Sequence, residues 1–150
     1  MPAISSLRAI ATSAAPAAIG PYSQAVAHGN LLFVSGQLPI DPATDEIVEG
    51  GIAEQTSRVL DNIEAILSSE GLSFRDVVKT TVLLMDLGEF PVVNAIYAKR
   101  FTDGVLPARA TFQVAGLPKN SLIEIEAIAL AGSHVANDLE SDALGPRRGS

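Results

Sequence analysis

Apolar positions along the chain change period several times, and each change predicts an element. Ile52, Val59, Leu60, Ile63, Ile66 and Leu67 recur at helical spacing and predict an amphipathic helix over 52–67, which Gly71 ends as a left-handed cap residue. Phe90, Val93, Tyr97 and Phe101 share one side of a second predicted helix, 86–100, with Pro91 in its first turn and Gly104 after its end. Elsewhere the period shortens to two or the apolar run is unbroken. Tyr22 to Ala27, Leu31 to Gly36, Phe74 to Met85, Arg109 to Val114 and Leu122 to Leu130 are therefore predicted strands. Turn residues part them at His28-Gly29-Asn30, through the loop Pro39 to Gly51, and at Gly116-Leu117-Pro118-Lys119-Asn120. The order β-β-α-β-α-β-β predicts an α+β sandwich, one mixed sheet with both helices on one face.

A sheet covered on one side alternates apolar and polar residues. Two predicted strands do not: Leu31 to Val34 and Val77 to Met85 carry apolar residues or threonine on both faces. The uncovered face therefore needs a cover that no remaining segment supplies. A second copy of the chain is the economical answer, so a homo-oligomer is expected. Along the chain we expect an N-terminal lead-in over 1–11, one domain over 12–132 and a polar, mobile tail over 133–150. A length of 150 residues with 47% hydrophobic composition fits that single domain.

Composition narrows the chemistry. The net charge of −7 and the scatter of Arg58, Arg75, Lys79, Lys99, Arg100 and Lys119 disfavour nucleic acid as a partner, because counter-ion release needs a basic stripe. There is no cysteine, which excludes disulfides, thiolate nucleophiles and cysteine-ligated zinc. His28 and His134 have no ligand partners at metal-binding spacing, so no metal site is expected. No apolar run approaches the roughly 20 residues of a membrane helix, so no membrane partner is expected either. Met1 to Ala18 is rich in Ala and Ser but carries only Arg8, a faint transit-peptide composition; the expected location is cytoplasmic, with organelle targeting left open.

The chemistry-bearing residues sit in the last two strands. Strand alternation puts Glu124 and Glu126 side by side with Ile128 and Leu130 on one face, opposite Ile123, Ile125, Ala127 and Ala129. Arg109 follows Pro107 at the mouth of the preceding strand. Charges inside apolar strands are costly unless paired or used. An arginine that binds a carboxylate and a glutamate that handles a water or a proton account for both. The plainer alternatives are a surface ion pair for Arg109 and, for Glu126, pairing with a Lys or Arg across an oligomer interface. If the last two strands form a hairpin, Arg109 lies at its open end, away from Glu124, and a partner subunit closes the distance. Tyr22 beside Gly20-Pro21 reads as a packing aromatic with a bonded hydroxyl. Ser35-Gly36 has a nucleophile-like look, but no histidine stands in a triad pattern, which excludes serine-hydrolase chemistry. Gly50-Gly51 lacks the lysine and spacing of a phosphate loop.

Several segments together resemble the RidA/YjgF family of imine (reactive intermediate) deaminases. They are Ala17 to Ala25 (with Gly20-Pro21-Tyr22-Ser23-Gln24), Val34 to Pro39, Asn62 to Leu67, Val78 to Val82, Val93 to Tyr97, Pro107-Ala108-Arg109, and Leu117-Pro118 through Ile123 to Ala129. The resemblance covers about residues 12–131 in the family's order. It implies a chorismate-mutase-like homotrimer with three sites in the clefts between subunits. It further implies hydrolysis, without a cofactor, of 2-imino acids such as 2-iminopropanoate and 2-iminobutanoate to 2-oxo acids and ammonia. The family's arginine falls on Arg109 and its water-handling glutamate on Glu124; Tyr22, Asn94 and the backbone around Ser35 and Gly36 fall on the residues that line the cleft. Many members carry a cysteine where this chain has Thr111, which hydrogen-bonds but supplies no thiol. The alternatives are a non-catalytic, regulatory trimer that binds 2-oxo acids through Arg109, and an RNA-directed activity that the acidic balance opposes.

Overall fold

A computed structural model describes residues 6–132. The expected tail over 133–150, with His134, lies outside the described residues, as do residues 1–5 of the lead-in. The strands are β1 (Arg8–Ile10), β2 (Ala25–His28), β3 (Leu31–Gln37), β4 (Ile40–Asp41), β5 (Glu46–Ile47), β6 (Val77–Leu84), β7 (Ala108–Gln113) and β8 (Ile123–Leu130). The helices are α1 (Ile52–Ser69), before β6, and α2 (Phe90–Arg100), before β7. Six strands make one mixed sheet in the order β1-β2-β3-β8-β6-β7, and β4 with β5 forms a separate ribbon. Every pair in the large sheet is antiparallel except β6 and β7, which run parallel and are joined by α2.

The expected α+β layering is present. Val59, Leu60, Ile63, Ile66 and Leu67 of α1 are fully buried against Leu32 and Val34 of β3, Val82 and Leu84 of β6, and the odd-numbered residues of β8. Burying one such aliphatic side chain stabilises by about 1.5–3 kcal/mol, so this layer dominates the fold. The helix starts where the Glu54 carboxylate accepts the Gly51 N–H at 2.9 Å. It ends as its sequence predicts: Gly71 sits at φ +70°, while Leu72 N–H reaches Leu67 O and Gly71 N–H reaches Ser68 O. α2 docks on the same face, its Tyr97 hydroxyl 2.7 Å from Thr80 Oγ1 of β6.

Four expectations need correction. The last two strands are not a hairpin, because β6 lies between β7 and β8. A strand–helix–strand unit returns its second strand parallel to the first, and α2 takes β7 to the outer edge of β6. The lead-in contains a strand, β1, paired with β2 through Arg8 and Ala27, Ala9 and Val26, and Ile10 and Ala25. The loop Pro39 to Gly51 holds the β4–β5 ribbon. The elements around β6 are shorter than predicted. Phe74–Asp76 forms a single 3-10 turn in which Asp76 Oδ2 accepts the Ser73 N–H, and a second such turn, Leu87–Glu89, precedes α2 where Asp86 Oδ1 accepts the Gly88 N–H.

The face away from the helices carries no cover among the described residues. It presents Leu31 and Phe33 of β3, Lys79, Thr81 and Leu83 of β6, Phe112 of β7, and Glu124, Glu126, Ile128 and Leu130 of β8. Phe33 is 44% and Phe112 55% exposed, high for aromatic residues in the middle of strands. Lys79, Thr81, Phe33, Ile128 and Glu126 line a shallow depression of about 160 Å³ there.

Candidate functional site

The predicted site residues fall into two groups on opposite faces of the sheet. Arg109 pairs in register with Thr80, whose side chain is buried beneath the helices, so Arg109 projects on the helix side of the edge strand β7. Thr111, in register with buried Val82, projects the same way. The Arg109 guanidinium stands 4.7 Å from the ring centre of Tyr97 and 5.1 Å from that of Phe90. Its Nη1 donates to Asn94 Oδ1 at 2.9 Å. Phe90, Asn94 and Tyr97 lie three or four residues apart along α2, hence on one helix face. Burial and the bond to Thr80 fix Tyr97, and burial raises its pKa above the usual tyrosine value, so the hydroxyl stays neutral.

The second group is built around a bulge. Val34 pairs with Ala127 but the next pair is Gln37 with Ile125, so β3 spends one extra residue at Ser35-Gly36. Glu124 lies over Gly36: a Cβ built there falls 2.9 Å from the Glu124 carboxyl carbon and 3.1 Å from its Cγ. Glycine leaves room at this point for the carboxylate, which occupies the space a side chain would fill. Burial raises the Glu124 pKa above the ordinary glutamate value, and the neighbouring Glu126 charge adds to the rise. The Ser35 hydroxyl donates to Ser23 O at 2.6 Å and the Ser35 N–H to Gln24 O at 3.0 Å, which ties the bulge to the loop carrying Tyr22. Tyr22 is half-exposed and its hydroxyl accepts the Ile19 N–H at 3.3 Å, as expected of a bonded aromatic.

The structure thus brings Arg109, Asn94 and Thr111 together, and separately Glu124, Gly36 and Ser35 with Tyr22 nearby. It does not bring Arg109 to Glu124 within one chain: the two side chains leave opposite faces, and Arg109 stands level with Thr80 and Ala127, three residues along β8 from Glu124, so it meets the later part of the last strand as expected though β6 lies between. Three contributing residues carry no role in the sequence reading. Gln24 is buried and its amide bonds Thr12 N–H (2.7 Å), Thr12 O (3.0 Å), Ala15 O (3.3 Å) and Pro16 O (2.8 Å), knotting the loop before β2. Phe90 and Tyr97 read as core aromatics from their helical spacing, and no local signal tells that their rings meet a guanidinium. Among the described residues no group of three or more His, Cys, Asp or Glu stands where it could hold a metal ion.

The family model described as endoribonuclease L-PSP matches residues 12–131. The chain belongs to the YjgF/RidA family. A protein of Rattus norvegicus named 2-iminobutanoate/2-iminopropanoate deaminase is 54% identical over 125 residues, 83% of this chain and 90% of the relative. The Homo sapiens protein of that name is 50% identical over the same shares of the two chains. A RutC family protein of Pyrococcus abyssi is 55% identical over 80% of this chain and 94% of its own length. The crystal structure of the YjgF gene product from E. coli superposes with a TM-score of 0.79 at 50% identity, covering 82% of this chain and 98% of that one.

Proposed function

We propose that this YjgF/RidA protein is a hydrolytic deaminase of 2-imino acids, converting 2-iminobutanoate and 2-iminopropanoate to the 2-oxo acids and ammonia. It works as a homotrimer of the chorismate-mutase-like kind, with each site between two subunits. The observation that carries this is the separation itself: a guanidinium held ready on one face, a desolvated carboxylate held ready on the other, and an apolar sheet face that a second copy would bury. The names of the mammalian relatives, at 50–54% identity over most of both chains, supply the substrate class.

In the assembled site Arg109 takes the substrate carboxylate through a forked, charge-assisted contact, each hydrogen bond contributing about 1.5–3 kcal/mol. Asn94 steadies the guanidinium, and Thr111 lines the same half. From the neighbouring subunit, Glu124 aligns a water over Gly36 and accepts its proton as the oxygen adds to the imine carbon. Glu124 returns that proton to the nitrogen, giving a carbinolamine; the hydroxyl proton then moves to the nitrogen as C=O forms and the C–N bond breaks, and ammonia leaves the 2-oxo acid. Such positioned proton transfer contributes about 10²–10⁴-fold. Ser35, Gly36 and Tyr22 form the wall of this half. The imine is already electrophilic, so the mechanism calls for no cofactor. The role that follows is disposal of reactive imines in the cytoplasm, a form of metabolite damage control.

Lys79 and Glu126 flank the shallow depression of the open face, and opposite charges there favour pairing between copies. RNA cleavage, which the family description names, is disfavoured by the net charge of −7. The test is to follow freshly generated 2-iminobutanoate and the 2-oxobutanoate formed, alongside the native mass. Decay above the buffer rate and a mass of three chains are expected. A buffer-like rate with tight 2-oxobutanoate binding would instead make the protein a non-catalytic, regulatory 2-oxo-acid binder, and a monomeric mass would end the shared-site reading.

A further inference from the structure

We propose that Tyr97 is a positioning residue for Arg109: its ring, fixed from the sheet and from α2, holds the guanidinium in the orientation that receives a substrate carboxylate. The inference rests on the reading of Arg109 as the carboxylate-binding group. Arg109 is an exposed side chain on an edge strand, a place where arginine ordinarily samples several rotamers. Freezing such a side chain on ligand binding weakens affinity by roughly two- to tenfold. Here that ordering is built in beforehand.

The support can be traced back into the core. Phe74 and Phe101 meet at 4.8 Å with their planes tilted by 58°. Phe101 stacks on Tyr97 at 4.2 Å and 20°. The Tyr97 hydroxyl bonds Thr80 of β6, so the ring cannot tilt or slide without breaking a buried bond, and the stacked Phe101 ring opposes its rotation. On this fixed ring stands the Arg109 guanidinium, with Phe90 as a second aromatic surface. A guanidinium over a ring face keeps its N–H groups in its own plane, where a planar carboxylate meets them edge-on. Asn94 engages one of the five N–H groups and sets the rotation within that plane. Three residues on one face of α2 therefore define the height, tilt and rotation of the group that binds substrate.

The experiment compares Tyr97→Leu, Tyr97→Phe and Phe90→Leu by two independent readouts. The first is the order and ring-current shift of the Arg109 Nε–H signal in the ligand-free protein. The second is kcat and KM for 2-iminobutanoate, with the dissociation constant for 2-oxobutanoate. Tyr97→Leu is expected to mobilise Arg109 and raise KM about tenfold with kcat within about twofold. Tyr97→Phe, which keeps the ring, should restore the wild-type KM to within about threefold, and Phe90→Leu should raise KM by about threefold. An Arg109 signal as ordered in Tyr97→Leu as in wild type, or a fall in kcat at constant KM, overturns the proposal. Should Tyr97→Leu not fold, Phe90→Leu with unchanged Arg109 order and unchanged KM overturns it. A wild-type protein that neither turns over the imine nor binds 2-oxobutanoate removes the deaminase reading instead, and the Arg109 signal in the variants still decides whether the ring positions it.

Discussion

The two halves of the proposed site are built by different means. The arginine half is made of side chains: a flexible, exposed cation is given its place by aromatic rings and an amide on α2. The glutamate half is made by backbone: a bulge at Ser35-Gly36 opens a space without a Cβ, and the carboxylate settles into it. Each method suits its task. A group that grips a carboxylate needs a defined direction, which ring faces supply without competing for its N–H donors. A group that handles protons needs a tuned pKa, and burial against strand backbone supplies that. Because β6 separates the two strands and their side chains leave opposite faces, one chain does not bring the two proposed halves together.

The largest predicted effect tests that separation. Arg109→Ala and Glu124→Gln should each lower kcat/KM by about 10²–10⁴-fold. Refolded together in equal amounts, the two inactive proteins should recover roughly a quarter of wild-type activity, since about one interface in four joins an intact arginine half to an intact glutamate half. An inactive mixture whose native mass shows mixed trimers would mean that each site lies within one chain. Next in size is Gly36→Ala. The new methyl meets the far end of a flexible side chain, so the fold survives but the carboxylate moves. Misplacement by about 1 Å costs up to about 10²-fold, so kcat should fall by one to two orders of magnitude while 2-oxobutanoate binding stays near wild type. Equal losses in both would show that Gly36 serves the whole cleft rather than the glutamate half.

The pH profile separates the halves in another way. Glu124 is held protonated to higher pH than an ordinary glutamate, first by burial and then by Glu126. If its carboxylate form handles the attacking water, activity falls as pH drops through that raised pKa. Glu126→Gln removes a like charge, makes deprotonation easier and should move the acid limb of kcat to lower pH. The limb stays above the ordinary glutamate range because burial remains. No movement of the limb, or movement to higher pH, would take Glu124 out of the proton-handling role.

Much of this was legible in the chain, and the boundary of legibility has a physical cause. Hydrophobic period is local, so α1 with its Gly71 cap and the alternation of Glu124, Ile125 and Glu126 on β8 follow from sequence alone. Strand neighbours are not local. Two strands joined by a short turn with Gly116 and Pro118 invite a hairpin, whereas β8 inserts between β3 and β6, on the far side of β6 from β7. The strand β1 escapes notice because three residues in an Ala- and Ser-rich stretch have no period of their own; pairing with β2 creates it. The same limit hides the arginine half. Phe90 and Tyr97 announce a buried helix face, and only the register Thr80 to Arg109 shows what that face meets.

The smallest effect asks whether the arginine half needs its amide as well as its rings. Asn94 lies on the surface, and its 2.9 Å bond to Arg109 is partly replaceable by water. A single exposed hydrogen bond contributes about 0.5–1.5 kcal/mol at most, so Asn94→Ala should raise KM by only about threefold and leave kcat unchanged. Combined with Tyr97→Leu, two residues that act on the same guanidinium should show a coupling, the double variant losing a different factor from the product of the singles. Strict multiplication would mean that ring and amide contribute independently, with Arg109 supported by each alone. A loss larger than the product would mean that either one suffices to hold the guanidinium, and that the arginine half was built with a reserve the single-glycine device of the glutamate half does not have.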